Sequence, residues 1–364
     1  MGDVFPKVKV AAVHASSPFL DRDAGVEKTC ALIAQAAAQD ARLIVFPETF
    51  IPGYPFWIWT HTPATGAPFY FRLFANSVTV PSEATDRIGA AARKAGAHVV
   101  VGISEKDGGT LYNTLLYFDD SGQIIGRHRK LVPTCVERTV WGRGDGSGLR
   151  PVETPFGKVG GLICWEHSMD LARYALAAQG EQIHIAAWPA GSALSHDPSS
   201  GVFDDLSEAA ARHHAAANQC FVINVQSRID QETVRELGFE DRPDMLREGG
   251  GWSAIIAPTG QIIAGPNRDD ETILYAELDL AMIAQFKYVS DSIGHYSRPD
   301  ILQLSVNFEP QTNMVPYGAD QQIFPKIPAE DGKADPIALV GDGANSGKAA
   351  AGLSSRSIIA PGIG

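Results

Sequence analysis

Three side chains that could together carry out nucleophilic chemistry stand far apart in the 364-residue sequence: the thiol of Cys164, the carboxylate of Glu48 and the ammonium of Lys130. Cys164 follows the apolar run 158–163 and precedes a predicted helix. A thiol fixed there would lie in the positive potential of a helix start, which lowers its pKa and favours the reactive thiolate. This is a position for a nucleophile.

Glu48 follows a predicted apolar strand, 43–46, and Pro47. A carboxylate at the tip of such a strand is poorly solvated, so its pKa would rise towards that of a general base. Lys130 closes the basic run 127–130. Taken singly, a buried structural cysteine, a surface acid and a solvated charge run are the ordinary interpretations of these residues.

A metal or cofactor site is not indicated. Cys30, Cys135 and Cys220 are spaced too widely for a zinc site or a redox dithiol, and we interpret them as structural or unassigned thiols. His213 and His214 are adjacent on a predicted helix and therefore point to different sides. The glycine-rich stretch 141–146 is interpreted as tight turns, because it neither follows a clear strand nor opens a helix.

The composition excludes several classes of protein. The chain carries 30 Lys+Arg against 42 Asp+Glu, a net charge of −12, which argues against a nucleic-acid partner. Hydrophobic residues make up 45%, as expected for a folded globular chain. No apolar run is long enough to span a membrane, and no secretion signal opens the sequence, so a cytoplasmic protein is expected.

Hydrophobic periodicity predicts the same order of elements twice: strand, helix, strand, helix, strand, hairpin. We therefore predict an α/β fold of two similar halves, each a mixed sheet covered by helices on one face, which stack as a four-layer α-β-β-α sandwich. This domain is expected to cover residues 1–307. Residues 308–364 are expected to be a C-terminal extension, flexible because its end has few large apolar residues to bury. The predicted elements of the two halves are strands 8–13, 43–46, 98–104, 112–118 and 123–127 with helices 26–37 and 82–96, then strands 158–163, 183–187 and 220–226 with helices 171–178 and 206–218, and the hairpin 252–264.

Aromatic residues are concentrated between Tyr54 and Phe74, where they are eight of 21 residues against 9% in the whole chain. Such a cluster could line an apolar substrate pocket, lie at a subunit interface, or form core beneath a loop. The sequence does not choose among the three.

Three motifs, in this order on the repeated scaffold, resemble those of the nitrilase, or carbon-nitrogen hydrolase, superfamily: FPE at 46–48, HRKLVPT at 128–134 and CWEH at 164–167. The likeness runs from Val8 to about Pro299. Within the superfamily, Cys-Trp-Glu and the stretches 137–146 and 294–299 look like true nitrilases. The segments 172–175 and 183–189 are similar to the arylacetonitrilase branch.

The resemblance implies roles for these residues. Cys164 would attack the nitrile carbon, Glu48 would take the thiol proton, and Lys130 would stabilise the negative charge that grows on nitrogen. Glu137 matches a second family glutamate that positions Lys130 or the departing nitrogen. The positions beside the motifs that are expected to contact the organic group are Tyr54, Thr134, Trp165 and Trp188.

Other activities remain open on the sequence. An amidase or carbamoylase of the same superfamily would use the same residues, and a cyanide-hydrating enzyme acts on the smallest nitrile. A noncatalytic filament or scaffold protein is the alternative from another class. The resemblance implies a small-molecule nitrile substrate, no cofactor, and assembly into homo-oligomers that include helical filaments.

Overall fold

The computed structural model describes residues 4–194 and 202–314 of the chain. The described residues divide after Gln311 into two units. In the first unit, residues 308–311 follow the domain end predicted at 307, and the Gln311 amide donates a hydrogen bond to Asp145. In the second, Thr312 Oγ1 donates to the Met314 carbonyl. The extension predicted to be flexible lies, beyond Met314, outside the described residues.

The first sheet is built from both ends of the main unit. Its central strands run parallel, and the outer ones pair antiparallel. In spatial order its six strands are β12 (Thr272–Asp279), β1 (Lys7–His14), β2 (Leu43–Val45), β3 (His98–Asp107), β4 (Thr110–Phe118) and β5 (Ile124–Arg129).

The second sheet repeats this pattern of one antiparallel edge, three parallel strands and an antiparallel hairpin. Its six strands, in order, are β6 (Val152–Thr154), β7 (Gly157–Ile163), β8 (Ile183–Trp188), β9 (Phe221–Gln226), β10 (Ser253–Ile256) and β11 (Ile262–Asn267). The predicted duplication of a mixed sheet is therefore confirmed.

Helices cover the outer face of each sheet, which gives the predicted four layers. Residues of α1 and α4, such as Ile33 and Ile88, form one core with alternate residues of β1 and β3. A second core joins the inner faces of the two sheets, for example through Val10 and Ile185. The helices are α1 (Arg22–Ala37), α2 (Trp57–Thr60), α3 (Pro63–Asn76), α4 (Glu83–Ala95), α5 (Asp170–Ala178), α6 (Val202–Asn218), α7 (Gln231–Glu236) and α8 (Ala281–Lys287).

Two edge strands, β6 and β12, were not expected from the sequence. Strand β12 comes after the second half of the chain but pairs antiparallel with β1 in the first sheet, from Lys7 opposite Asp279 to His14 opposite Thr272. It escapes sequence patterning because most of its residues are only partly buried, as in other edge strands, so no clean apolar alternation marks it. Strand β6 is three residues long and has no buried residue.

The aromatic segment forms a core beneath the loops that precede β3. Tyr54, Phe56 and Trp57 are buried in a cluster that also contains Trp141. Phe71 on α3 is instead 76% exposed. Core packing therefore explains the beginning of the segment but not all of it.

None of the helices described for residues 4–194 and 202–314 is long and apolar enough to cross a membrane.

Candidate active site

The structure brings the acid, amine and thiol together in the interior of the main unit. The Cys164 sulfur and one carboxylate oxygen from each of Glu48 and Glu137 all lie within 4.8 Å of one another. The Lys130 Nζ lies 2.9 Å from Glu48 Oε1 and 2.8 Å from Glu137 Oε2. All four side chains are buried. Residues that are distant in sequence thus form one cluster of a thiol, an ammonium and two carboxyls.

Glu48 follows β2, where a glycine on the neighbouring strand makes room for it. A Cβ atom on Gly102 would lie 2.1 Å from the Pro47 carbonyl oxygen and 2.5 Å from the Thr49 nitrogen. Thr49 has a positive φ of 41°, which turns the chain sharply directly after Glu48. Asn113 from β4 donates a hydrogen bond to Glu48 Oε1 at 2.5 Å.

One carboxylate oxygen of Glu48 is left free. Oε1 accepts from both Asn113 and Lys130. Oε2 is buried and has no hydrogen-bond partner among the described residues. A buried acceptor without a partner is unusual, and at this place it can receive a proton from a thiol or a water.

Lys130 directly follows β5. The buried Glu105 on β3 holds β5 in place through two ion pairs. Glu105 Oε1 accepts hydrogen bonds from the guanidinium groups of Arg127, at 2.8 Å, and Arg129, at 2.6 Å. Both arginines of the predicted charge run are therefore paired. Their side chains leave the site, and the Lys130 amide continues the ladder by donating to the Asn113 carbonyl. Lys130 itself is fully buried, so the solvated interpretation of this residue is wrong.

Cys164 begins a short 3₁₀ turn, Cys164–Ser168, at the end of β7. Its φ is +54°, a left-handed conformation that costs a non-glycine residue roughly 1–3 kcal/mol and is typical of functional turns. The predicted longer helix starts later, as α5 at Asp170. Cys164 therefore lies at the start of a single helical turn, whose dipole is weaker than that of the longer helix.

Burial controls the resting state of the thiol. It raises the pKa of Cys164 well above its usual range, Glu48 and Glu137 raise it further, and Lys130 opposes them. The expectation of a lowered thiol pKa is therefore wrong, because desolvation outweighs the positive potential of the turn. The sulfur rests as a thiol and needs a base at the moment of attack.

Glu48 has the pKa that such a base requires. Burial raises its pKa to about 7, against the attraction of Lys130 and with a further increase from Glu137. Burial opposes the charge of Lys130, but the neighbouring Cys164, Glu48 and Glu137 raise its pKa well above the ordinary value. The amine is thus held as an ammonium beside a carboxyl that exchanges protons near neutrality.

Glu137 is held from three sides. Its Oε2 accepts from Lys130 and from the Thr134 amide at 2.7 Å, and its Oε1 accepts from the Tyr54 hydroxyl at 2.8 Å. Trp59 Nε1 donates to the same hydroxyl at 3.0 Å. Tyr54 and Thr134, which were predicted to contact substrate, are therefore joined to the cluster through Glu137.

Of the two predicted tryptophans, Trp165 belongs to the turn that Cys164 begins, and Trp188 ends β8. Trp188 is 3% exposed and stacks on His167 with ring centroids 4.8 Å apart. Trp165 is 36% exposed and meets Phe203 edge-on at 6.2 Å. Contact of either residue with an organic substrate remains a prediction.

Glu166, in the CWEH motif, ties the thiol turn to the lysine strand, a function that the sequence reasoning missed. Its carboxylate accepts from the amides of Ile163 and Leu131, each at 2.7 Å, and contacts His128 Nε2 at 3.0 Å. Burial disfavours its charge, but His128 and these hydrogen bonds lower its pKa below the usual value. The same contact raises the pKa of His128, although burial acts against it.

A second buried polar group, Glu181, His184, His214 and His167, lies behind the turn and was also missed. The sequence signal that could have indicated it is the single histidine, His184, in the otherwise apolar strand 183–188. His167 Nδ1 lies 2.7 Å from the Cys164 carbonyl oxygen. The group thus reaches the backbone of the residue that carries the thiol.

Among the residues that the structure describes, two sets of side chains have the types and spacing to hold a metal ion: Glu181 with His184 and His214, and the two acids with Cys164. In the first set the ligand atoms hydrogen-bond one another. In the second, the Lys130 ammonium lies between the two carboxylates that a cation would join. The first set is therefore held together by its own hydrogen bonds, and the second already contains a cation of the chain, although Glu48 Oε2 has no hydrogen-bond partner among the described residues.

Comparison with known proteins identifies the family of the chain. The carbon-nitrogen hydrolase family model matches residues 9–288. The chain is 43% identical to a nitrilase of Bacillus sp. (strain OxB-1), covering 83% of this chain and 88% of that one. It is 40% identical to an arylacetone-specific nitrilase of Alcaligenes faecalis, covering 91% and 94%.

A solved structure shares the fold at low sequence identity. The crystal structure of a carbon-nitrogen hydrolase from Helicobacter pylori G27 matches with a TM-score of 0.65 and 22% identity, covering 81% of this chain and 96% of that one. The family match, the identities to the two nitrilases and the common fold agree. The chain belongs to the carbon-nitrogen hydrolase family.

Proposed function

We propose that the protein is a nitrilase, which hydrolyses an organic nitrile to the carboxylic acid and ammonia. The observation that carries this proposal is the cluster in which the Cys164 sulfur lies within 4.8 Å of oxygens of Glu48 and Glu137. Relatives at 43% and 40% identity over most of both chains are nitrilases, which favours nitriles over other carbon-nitrogen compounds.

The first step follows from the resting protonation states. The thiol is neutral, so Glu48 takes its proton as the sulfur bonds to the nitrile carbon. The carbon-nitrogen triple bond becomes a double bond, and the electron pair goes to nitrogen. The Lys130 ammonium stabilises that charge, and the nitrogen takes up the proton that Glu48 received from the thiol, which gives a thioimidate and leaves Glu48 ionised again.

Two waters complete the reaction. Glu48 takes a proton from the first water as it adds to the thioimidate carbon, and the proton passes to nitrogen. Ammonia leaves and a thioester remains. The second water, activated in the same way, displaces the thiol and gives the acid. Nitrile and two waters become acid and ammonia, and Cys164 regains its proton. If the thiol leaves the first adduct before ammonia does, the product is an amide.

Glu137 has a positioning role in this proposal. It shares Lys130 with Glu48 and is itself fixed by Tyr54 and Thr134. A lysine with a single buried carboxylate could rotate, whereas one between two carboxylates is held in place. We therefore assign Glu137 to orient the ammonium towards the reacting nitrogen.

Ammonia release from nitriles and amides tests the proposal. Phenylacetonitrile is compared with phenylacetamide and with aliphatic and aromatic nitriles, for wild type and Cys164→Ala. A nitrilase releases ammonia from nitriles in preference to amides, and the variant releases none. Preference for the amide indicates an amidase, and preference for hydrogen cyanide a cyanide-hydrating enzyme. Cys220→Ala is the matched control, because Cys220 is also a buried thiol but lies apart from the cluster.

We further propose that copies of the chain associate. Helices α5 and α6 contact each other and carry exposed apolar side chains, with Leu171 67%, Val202 58% and Leu206 44% exposed. Adjacent exposed apolar residues favour a protein interface. Sedimentation of wild type and Leu206→Glu tests this: wild type sediments as an oligomer and the variant as a smaller species. A wild-type monomer contradicts it.

A further inference from the structure

Four buried side chains form a continuous hydrogen-bonded row that ends on the backbone of Cys164. His167 Nε2 lies 2.9 Å from His184 Nε2, and His184 Nδ1 lies 2.8 Å from Glu181 Oε1. Glu181 Oε2 lies 3.1 Å from His214 Nε2. All four are buried. The proposed reaction uses none of these four side chains, although the row ends at the carbonyl of Cys164, the proposed nucleophile.

The direction of each hydrogen bond can be worked out from the Cys164 end. A carbonyl oxygen only accepts, so His167 Nδ1 carries a proton. A neutral His167 then has a bare Nε2, which must accept from a proton on His184 Nε2. A neutral His184 in turn has a bare Nδ1. The proton between it and Glu181 must therefore belong to the carboxyl.

The hydrogen bonds at the His214 end of the row agree with this assignment of protons. The Asn218 Nδ2 group lies 3.4 Å from His214 Nδ1 and is a donor, so Nδ1 is bare. A neutral His214 then carries its proton on Nε2 and donates it to Glu181 Oε2. Glu181 thus accepts at one oxygen and donates at the other, which only a protonated carboxyl can do.

We propose that Glu181 is held as a neutral carboxylic acid, and that the row His214, Glu181, His184 and His167 positions Cys164 by fixing its carbonyl. The row acts through the backbone of a residue with a φ of +54°. A left-handed residue persists only where its surroundings hold it, and His167 supplies one such contact. These four are positioning residues and do not touch the substrate.

The surroundings of the row favour its neutral form. Burial lowers the pKa of His167, His184 and His214 to about 3 each. Burial also raises the pKa of Glu181, against the attraction of His214. The other ionisable groups whose charges act on the row are Arg173, His128 and Glu166. Tyr117 and Cys220 also interact with Glu181, but burial raises the pKa of each and keeps both neutral.

Glycine in β7 makes the close approach possible. A Cβ atom on Gly160 would lie 2.1 Å from Glu181 Oε1, the oxygen that contacts His184. The opposite end is fixed by Trp188, which stacks on His167. The carboxyl is therefore enclosed between a strand backbone and two imidazoles, and the row has little freedom to rearrange.

Glutamine tests the protonation state because its amide reproduces a protonated carboxyl: the NH₂ group donates to His184 and the carbonyl accepts from His214. The variants are Glu181→Gln and Glu181→Leu, with Glu153→Gln on β6 as the exposed control. An infrared difference spectrum between wild type and Glu181→Gln at neutral pH should contain the C=O band of a carboxylic acid. The Glu153→Gln difference should contain carboxylate bands, beside those of the new amide, and no carboxylic-acid band.

Activity and thiol reactivity test the positioning role, and the activity arm rests on the proposed function. Glu181→Gln should keep kcat/KM, and the rate of Cys164 alkylation by iodoacetamide, within about threefold of wild type. Glu181→Leu should lower kcat and the alkylation rate by about tenfold or more with KM little changed, since the carbonyl loses its support. Circular dichroism checks that both variants are folded.

Each result decides one part of the proposal. Absence of the acid band, or a glutamine variant as damaged as the leucine variant, would show that Glu181 works as a carboxylate. A leucine variant with wild-type alkylation would overturn the positioning role. Should Glu181→Leu not fold, alkylation of His167→Ala decides the same point. A wild type without nitrile hydrolysis would contradict the proposed function, but the infrared and alkylation results would still decide this inference.

Discussion

The Lys130 ammonium lies 2.9 Å from a carboxylate oxygen of Glu48, and both side chains are fully buried. In water such a contact would contribute little, but here burial removes the hydration of both charges, so their attraction matters more. The pair therefore links stability and chemistry: the lysine that is proposed to stabilise the reacting nitrogen also sets how readily the glutamate ionises.

Replacing Lys130 by methionine should abolish turnover and make the protein sensitive to alkali. Without the ammonium, the pKa of Glu48 should rise beyond its present value of about 7. A buried acid with a raised pKa loses stability as pH increases, because the unfolded chain releases its proton first. Urea unfolding at several pH values should show Lys130→Met weakening towards high pH relative to wild type. A constant difference across pH would contradict this coupling.

The acidic limb of the activity profile should report Glu48. A base must be ionised to take the thiol proton, so kcat/KM should rise with pH through about 7, the pKa to which burial raises Glu48. Because Glu48, Lys130 and Cys164 interact, the midpoint belongs to the cluster as a whole. Initial rates across the neutral range measure it. Glu48→Gln should be inactive but folded, and activity that is flat through neutrality would argue for another base.

Glu166→Gln should destabilise the fold and weaken activity together. The variant leaves His128 without its buried counter-charge, and breaking a buried pair costs about 3–5 kcal/mol. The difference in unfolding free energy between wild type and Glu166→Gln should shrink as pH falls through the lowered pKa of Glu166. It should also shrink as pH rises through the raised pKa of His128. Urea titrations give both limbs, and Glu153→Gln, whose side chain is 77% exposed, is the control.

Gly102→Ala should damage catalysis through backbone crowding alone. The added methyl would lie 2.1 Å from the Pro47 carbonyl oxygen, so the segment that carries Glu48 must move. A shift of this kind can lower kcat by about 100-fold. Gly109→Ala is the matched control, since a Cβ there meets nothing within 4 Å. Equal activity of the two variants would show that the segment yields without disturbing Glu48.

The sequence was informative where a structure or a function depends on a short local pattern of residues. The apolar strands, the caps of α4 at Ser82 and Gly96, and the repeated order of elements were all predictable from local pattern. Sequence motifs also selected Cys164, Glu48 and Lys130, which the structure places in one cluster.

What the sequence concealed depends on distant contacts. The pKa of Cys164 is raised rather than lowered, because its burial depends on packing between two sheets that no local pattern describes. No function was assigned to Glu166 or His184 from the sequence. Their partners, His128 and Glu181, are defined only once the chain has folded.

Strand β12 has a consequence for the integrity of the chain. Since it crosses back from the second half to flank β1, the first sheet cannot be completed by the first half of the polypeptide alone. A fragment ending at Asn267 would uncover the edge of β1, whose unpaired amides and carbonyls would recruit a strand from another molecule. The apparent duplication is thus interlocked, because the first half depends on a strand from beyond the second sheet to cover its edge.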